Sequence, residues 1–300
     1  MSAKLLPLLA LAACLAAPAS AGNDARPATA SSEWIARCTD WDDWDKPGPP
    51  FRILGDTFYV GTCGIASILV VSADGLTLID SGTDEGAKAV LANIRALGFD
   101  PRAVSSILMS HEHFDHAGGM ARLQAATGAT IYASPAAAGV LRSGVTGADD
   151  PQALSGHPAF PPVTGKIIGI ESEDPIWLGG ILFRPLMTPG HSPGAMSWQW
   201  DMCKGDSCNT VSYVDSLSPI GADEYRFSDH PTYLAQFRNS LARIAALDRC
   251  LLLTPHPSAS TMRDRLNGSG LGANGRHDCR DYAQAIGKRL DQRLADEAGR

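Results

Sequence analysis

Four potential metal ligands lie within six consecutive residues of this sequence: His111, His113, Asp115 and His116. They follow the apolar run 105–109 and precede a Gly-Gly pair. A strand ending here points His111 and His113 the same way, because side chains alternate along a strand, while Asp115 and His116 lie beyond it on a turn. Neutral imidazole and carboxylate are ligands that zinc accepts. The cluster predicts two adjacent metal positions; the alternative is a polar active-site loop without metal.

Two distant histidines occur in a similar setting. His191 follows the apolar run 181–187, and His256 follows the apolar run 250–254. A single histidine in such a loop is more often a hydrogen-bonded turn residue, but the repeated context favours ligands. We therefore predict two ligand sets, each leaving a position open for water: His111, His113 and His191; Asp115, His116 and His256. Three further histidines lack this setting and are predicted to lie at the surface: His157, His230 and His277.

Four short motifs stand in a definite order along the chain: His-Glu-His-Phe-Asp-His at 111–116, Pro-Gly-His-Ser-Pro-Gly at 189–194, Asp-Ser-Leu-Ser at 215–218 and Thr-Pro-His-Pro at 254–257. In this order they resemble the metallo-β-lactamase superfamily. The histidine at 116, and Ser216 where other subclasses place a zinc-binding cysteine, resemble subclass B3. The resemblance implies an α/β fold, the αββα sandwich, in which two mixed β-sheets are flanked by helices. It also implies two zinc ions, the first bound by the three-histidine set and the second by the set that contains Asp115.

Two adjacent zinc ions would acidify a shared water to hydroxide near neutral pH, and this hydroxide can attack a polarised carbonyl. The resemblance implies that the carbonyl belongs to the β-lactam amide of penicillins, cephalosporins or carbapenems, so that hydrolysis confers antibiotic resistance. Asp115 is predicted to orient the hydroxide as well as to bind metal. The first alternative is another exported di-zinc hydrolase of this fold, of the lactonase or thioesterase type. The second is a non-catalytic zinc-binding protein of the cell envelope.

Three further positions are candidates for contact with substrate. Ser216 and Ser218 are two residues apart, so an extended backbone would put both hydroxyls on one side, facing a substrate carboxylate. The alternative is that they are ordinary turn residues. Loop 144–165 is rich in Gly, Pro and Asp and borders the substrate cleft in the resembled enzymes, with Gln152 as a contact. In relatives such as glyoxalase II, the aspartate of the segment that corresponds to 214–218 bridges both metals. For Asp215 the B3 resemblance favours a non-bridging role, and bridging stays the alternative.

Composition indicates an ordinary globular protein, since the 300 residues are 44% hydrophobic and 19% charged. A net charge of −7 without any Lys/Arg run argues against nucleic acid as a partner.

Residues 1–21 read as a secretory signal peptide, which predicts a periplasmic protein without stable membrane insertion. Acylation at Cys14 is the alternative. We predict an irregular N-terminal arm at 22–50 and a single domain at 51–300. We also predict that the protein is a monomer.

Removal of the signal peptide discards Cys14 and leaves six cysteines. An even number favours disulfides in an exported protein. The short spacing of Cys203 and Cys208 around a turn predicts one pair, while spacing leaves the pairing of the others open. The resemblance to disulfide-rich B3 enzymes implies the remaining two pairs: Cys38–Cys63 and Cys250–Cys279.

Hydrophobic periodicity predicts the elements that must position these residues. Strand patterns occur at 57–60, 66–71, 76–79, 105–109, 130–133, 166–170, 181–187, 196–200, 211–214 and 250–253. Helical patterns occur at 85–97, 119–126, 135–143, 231–247 and 278–297. Every predicted ligand therefore lies in a loop that follows a predicted strand.

Overall fold

The computed structural model describes residues 30–204, 207–272 and 276–299. The predicted signal peptide, with Cys14, lies outside these residues, as does the side chain of His277. The described strands are β1 Phe51–Leu54, β2 Thr57–Tyr59, β3 Ile68–Ser72, β4 Gly75–Ile79, β5 Val104–Leu108, β6 Thr130–Ala133, β7 Ile167–Gly169, β8 Ile176–Leu178, β9 Ile181–Met187, β10 Met196–Lys204, β11 Ser207–Tyr213 and β12 Leu251–Leu253. The helices are α1 Ser31–Arg37, α2 Gly86–Ala96, α3 Phe114–Ala117, α4 Met120–Thr127, α5 Pro135–Ser143, α6 Pro231–Ala245, α7 Met262–Asn267 and α8 Arg276–Ala298.

The strands form two mixed sheets. The first has the order β1-β2-β3-β4-β5-β6-β7, antiparallel up to β4 and parallel from β4 to β7. The second has the order β12-β11-β10-β9-β8, in which only the β11–β12 pair is parallel. Among the described helices, none is long and apolar enough to cross a membrane.

Strand alternation creates a layered core. In β3, Leu69 and Val71 pack with the helices on the outer face, whereas Ile68 and Val70 face the second sheet. The layer between the sheets also contains large, fully buried aromatic side chains: Trp34, Phe51, Tyr59, Phe183, Trp198, Trp200 and Tyr213. A third cluster joins the second sheet to α6 and α8. Because both faces of each sheet must be covered by apolar side chains, this arrangement is the αββα sandwich, and the predicted fold is confirmed.

The structure also contains elements that the sequence patterns did not predict: β1, β8, α1, α3 and α7. The prediction of an irregular arm is wrong for α1, which buries Trp34 against the rings of Phe51 and Tyr59. A helix of seven residues is too short to form by intrinsic propensity and is stabilised by these tertiary contacts. Such contacts leave no periodic signal in the sequence.

Three disulfides occur in the described residues: Cys38–Cys63, Cys203–Cys208 and Cys250–Cys279. They are the three pairs expected. The first anchors the arm to the segment after β2. The second joins facing positions of β10 and β11. The third ties α8 to the residue before β12, the strand that leads to His256.

Candidate metal centre

Five strand ends converge at one edge of the sandwich. The loops after β5, β9 and β12 carry the six predicted ligands, while those after β4 and β11 carry Asp80 and Asp215. The two sheets are joined at this edge by the indole N–H of Trp198, which donates to the Met109 carbonyl at 2.9 Å. The amide of Met196 donates to the Ser110 carbonyl at 2.7 Å. The first motif is therefore held between both sheets.

The first predicted set comes together as a cluster of imidazoles. One ring nitrogen from each of His111, His113 and His191 lies within 4.8 Å of the others. Nδ1 of His113 and Nε2 of His191 are 3.2 Å apart. Nε2 of His111 is buried and has no hydrogen-bond partner among the described residues. A buried nitrogen without a partner is costly unless a ligand satisfies it.

The second predicted set forms a nearly equilateral triangle of donor atoms. Oδ2 of Asp115 lies 3.1 Å from Nε2 of His116 and 3.2 Å from Nε2 of His256, and the two nitrogens are 3.3 Å apart. The two sets are neighbours, since the rings of His111 and His116 have centroids 4.3 Å apart. One donor atom each from His111, Asp115 and His116 also lies within 4.8 Å of the others.

These separations can be tested against a tetrahedral metal. Zn–N bonds of about 2.0–2.1 Å place neighbouring nitrogens of a tetrahedral site roughly 3.3–3.4 Å apart. The 3.1–3.3 Å triangle of the second set matches one face of such a tetrahedron. The His113–His191 separation matches one edge at 3.2 Å. The donors are imidazole and carboxylate, so the residues present fit zinc in both positions.

In the first set, a partner holds the ring nitrogen that faces away from the donor cluster. Nδ1 of His111 is hydrogen-bonded to the Ser110 hydroxyl at 3.1 Å; Oδ1 of Asp215 lies 2.8 Å from the same nitrogen but has no hydrogen-bond partner among the described residues. Nε2 of His113 lies 3.0 Å from Oδ2 of Asp150. Nδ1 of His191 donates to the Ser218 carbonyl at 2.9 Å. A hydrogen bond at one nitrogen leaves the lone pair on the other and fixes the tautomer that a metal requires.

The second set has looser support. Nδ1 of His116 is 3.7 Å from Oδ2 of Asp80 and makes no hydrogen bond within the described residues. Asp80 itself accepts from the Ser110 amide and hydroxyl and from the Tyr213 hydroxyl. Burial raises the pKa of Asp80 to about 6. The side chain of His256 is 17% exposed to solvent, whereas that of His116 is fully buried.

Burial and charge set the protonation of the ligands. Burial, together with neighbouring histidines, holds the pKa of His111 and His191 well below the usual value, so both rings are neutral at pH 7. Burial alone would raise the pKa of Asp115, but His116 and His256 outweigh it and hold that pKa well below its usual range. Neutral imidazole and ionised carboxylate are the forms that bind metal.

Glu112, which sequence reasoning did not assign, connects two of the motifs. Its carboxylate accepts from the Ser192 hydroxyl at 2.7 Å and from the Gly194 amide at 2.8 Å. A Cβ at position 194 would lie 2.6 Å from Oε2 of Glu112, so glycine is needed for this approach. Burial raises the pKa of Glu112 to about 7. Residues 190–194 also match a Gly-x-Ser-x-Gly pattern, which is typical of a serine nucleophile. Ser192 is fully buried and its hydroxyl donates to Glu112, so this serine is not placed to attack a substrate.

The serine pair does not have the geometry predicted for it. Leu217, between the two serines, has a left-handed φ of 46°, so the backbone is not extended and the two hydroxyls need not share one side. Oγ of Ser216 is buried and has no hydrogen-bond partner among the described residues. Ser218 lies beside the first set through its carbonyl group, which accepts from His191. Asp215 stands at the Nδ1 side of His111, opposite the unpartnered Nε2.

Loop 144–165, which was expected to border the substrate cleft, reaches the first set of donor residues. Nε2 of Gln152 lies 3.5 Å from Nδ1 of His113, and its Oε1 lies 3.0 Å from Nε2 of His157. The prediction that His157 is a surface residue is wrong, because the side chain is half-buried with its ring centroid 5.2 Å from that of Phe114. Burial, with the charge of His113, lowers the pKa of His157. His230 is exposed, as predicted, and stacks on Tyr225.

The acidic residues next to the ligand histidines differ in how readily the sequence alone would identify them. Asp80 and Asp215 follow apolar strands directly, so the reasoning that located the histidines also applies to them. Asp150 lies inside a long loop and contacts a residue 37 positions away, for which no local pattern exists.

A two-sheet sandwich with two adjacent His/Asp donor sets at one edge defines a metal-dependent hydrolase class. Residues 60–246 match the sequence profile of the Metallo-beta-lactamase superfamily. The MIM-2 metallo-β-lactamase is 53% identical, with 90% of this chain and 99% of that chain covered and a TM-score of 0.83. MIM-1 from Novosphingobium pentaromativorans is 48% identical, with 89% and 98% covered and a TM-score of 0.82.

A third solved structure, MEM-A1 from a soil metagenome library, is a subclass B3 metallo-β-lactamase with 38% identity, coverage of 86% and 99%, and a TM-score of 0.80. A hydroxyacylglutathione hydrolase of Pseudomonas putida (strain GB-1) is 27% identical over 154 residues, which are 51% of this chain. The chain spans about half the length of that curated relative, 48%. The chain belongs to the metallo-β-lactamase superfamily and, within it, to the subclass B3 metallo-β-lactamases, which are hydrolases.

Proposed function

We propose that the protein is a di-zinc β-lactamase that opens the amide bond of penicillins, cephalosporins and carbapenems and so confers resistance to them. The observation that carries this proposal is the pair of neighbouring donor sets, one of three imidazoles and one of Asp115 with two imidazoles. This pair is set in a fold that superposes on MIM-2 with a TM-score of 0.83.

Six residues would hold the metal: His111, His113 and His191 for the first zinc, and Asp115, His116 and His256 for the second. Zinc bound there supplies Lewis-acid polarisation of a carbonyl and acidification of a water. Asp215 would orient His111 from the far side of its ring rather than bridge the two positions, because its Oδ1 lies 2.8 Å from Nδ1 of that residue.

Asp115 has a second task in this proposal. Oδ2 of its carboxylate faces His116 and His256, so the other oxygen is left to accept a hydrogen bond from the attacking water. The low pKa of Asp115 keeps the carboxylate an acceptor across the neutral range. Holding the water in line with the carbonyl orients the two reactants before they react. This lowers the entropic part of the activation barrier.

The mouth of the site favours substrates with apolar substituents. Of the six large apolar side chains that are exposed in the described residues, five belong to segments that surround the site: Trp41, Trp44, Val145, Leu154 and Ile220. The rings of Trp41 and Trp44 lie 6.4 and 5.8 Å from that of His256. Gln152, next to His113 and His157, and Ser218, next to His191, would supply polar groups to the substrate. Ser216 would contribute through the turn that carries Ser218.

The Trp41 ring is presented by an anchored backbone. Its amide donates to Oγ of Ser258 at 2.7 Å, and its φ of 52° lies in the left-handed region, which costs energy for a tryptophan. Exposed aromatic surface in such a conformation supports a role in contacting ligand. We infer that Trp41 packs against the substituents of the β-lactam.

Hydrolysis of a chromogenic cephalosporin and of a carbapenem, measured before chelation, after chelation and after zinc is restored, tests the proposal. We expect ring opening that is lost on chelation and returns with zinc. His191→Ala should remove it, while His230→Ala, a substitution of an exposed histidine outside both sets, should leave it intact. A zinc-loaded protein inert toward both substrates would contradict the proposal.

Thioester hydrolysis is the second candidate, because part of the chain aligns with the hydroxyacylglutathione hydrolase. Cleavage of a hydroxyacylglutathione by a protein inert toward β-lactams would favour it.

Three disulfides support an oxidising compartment, and we propose export to the periplasm as a soluble monomer. Light scattering of the purified protein and fractionation of expressing cells test these two statements.

A further inference from the structure

Asp150 stands at the junction between the metal centre and loop 144–165. Its side chain is almost fully buried, and both of its oxygens lie near Nε2 of His113, Oδ1 at 3.2 Å and Oδ2 at 3.0 Å. The opposite nitrogen of that ring, Nδ1, is the donor atom 3.2 Å from Nε2 of His191. A carboxylate at Nε2 requires the proton there and leaves the lone pair on Nδ1.

The same carboxylate also shapes the loop. Oδ1 of Asp150 accepts the amide of Gln152 at 2.7 Å, an Asx-type turn that directs the following side chain. Gln152 then lies with its Nε2 3.5 Å from Nδ1 of His113 and its Oε1 within reach of His157. The next segment is tied to the other side of the site, because the amide of Ala222 donates to the Pro151 carbonyl at 2.8 Å.

We propose that Asp150 is a positioning residue that fixes the donor nitrogen of His113 and, through the same carboxylate, places Gln152 beside it. Metal loading and the conformation of loop 144–165 are thereby coupled. This inference rests on the proposed zinc site but not on the identity of the substrate. Partners of metal-bound histidine typically change metal affinity by about 10- to 100-fold when removed.

Zinc affinity, measured by competition with a chromophoric chelator in the absence of substrate, provides the first test. Asp150→Ala should weaken the zinc bound by the first set by about 10- to 100-fold. Asp150→Asn keeps an oxygen that can accept from His113 and should recover part of this loss. Asp149→Ala is the matched control, because Asp149 is the exposed neighbour in the same loop and should bind zinc like the wild type.

Two spectroscopic readouts separate positioning from a merely structural effect. In the metal-free protein, ¹⁵N NMR of the imidazoles should show the Nε2–H tautomer for His113, and Asp150→Ala should abolish this preference. In the Co²⁺-substituted protein, the visible spectrum should change in Asp150→Ala and not in Asp149→Ala. Circular dichroism of each variant checks that the fold is retained, and Asp150→Asn serves if the alanine variant does not fold.

Gln152→Ala separates the two halves of the coupling. It removes the side chain beside His113 while keeping Asp150, so KM should rise and zinc affinity should stay the same. An Asp150→Ala variant with the zinc affinity and cobalt spectrum of Asp149→Ala overturns the proposal. Because these measurements need no turnover, a protein that binds zinc without hydrolysing β-lactams would contradict the proposed function and leave the Asp150 inference intact.

Discussion

The two donor sets share chemistry but differ in how the protein supports them. Each imidazole of the first set is hydrogen-bonded at its second nitrogen: His111 to the Ser110 hydroxyl, His113 to Asp150 and His191 to the Ser218 carbonyl. In the second set, Nδ1 of His116 stands 3.7 Å from Asp80 without a hydrogen bond. His256 lies at the opening of the site, near the exposed rings of Trp41 and Trp44.

This contrast teaches that ligand identity and ligand support are separate properties of a metal centre. A hydrogen-bonded imidazole is fixed in tautomer and orientation before metal arrives, so little free energy is spent in organising it. A ring without this support must be ordered by the metal itself. We therefore expect the first set to be preorganised and the second to depend on its metal and on the loops around it.

The largest effect should come from Asp115, because it belongs to the second set and also orients the attacking water. Asp115→Asn is expected to lower kcat by about 10²- to 10⁴-fold, with the fold intact by circular dichroism. Stopped-flow hydrolysis of a chromogenic cephalosporin gives the rate. A variant with nearly the wild-type rate would remove Asp115 from the mechanism.

Loss of the Cys250–Cys279 disulfide should act on the second set, because this bond joins α8 to the strand that leads to His256. Replacing both cysteines with serine should reduce the free energy of unfolding by roughly 2–4 kcal/mol and weaken the second zinc. Urea unfolding of the metal-free protein measures the first effect. The Cys203–Cys208 pair is the control, since it closes only a 5-residue separation instead of 29 and should matter less. Equal losses for both pairs would contradict this assignment.

Stepwise chelation tests the comparison directly. We expect two phases of zinc release, with the second set losing its metal at a chelator concentration about tenfold lower than the first, as expected for ligands that lack hydrogen-bonded partners. Metal analysis after dialysis against graded chelator, with Co²⁺ spectra to assign the phases, gives the order. Simultaneous release would show that support by Ser110 and Asp150 does not separate the two positions.

The smallest effect is expected at the opening of the second set. Trp41→Ala should raise KM for β-lactams with aromatic substituents by about 2- to 10-fold, corresponding to a contact of roughly 0.5–1.5 kcal/mol, and leave kcat nearly unchanged. Trp177→Ala is the matched control, because Trp177 is similarly exposed, 70% against 68%, but lies on β8. An identical KM in both variants would rule out contact between Trp41 and substrate.

Much of this organisation was accessible from the sequence, because strand periodicity and ligand chemistry are local. The cluster from His111 to His116 is contiguous, and His191 and His256 each follow an apolar strand directly. The extended backbone expected for the serine pair is not found, since the left-handed Leu217 depends on the surrounding loops and not on its own side chain. The helix α1 was missed for the same reason, because burial of Trp34 stabilises it.

The sequence by itself indicated most strands and helices and the loops that carry the six candidate ligands, because each depends on patterns of neighbouring residues. Its resemblance to the metallo-β-lactamases implied the family and the αββα sandwich. The tertiary structure alone decided which groups support those ligands. Asp150 reaches His113, Asp215 reaches His111, and Glu112 reaches Gly194 across 37, 104 and 82 positions respectively, as their residue numbers give. Contacts of that range arise only when strands from both sheets end at one edge, and no local pattern encodes them.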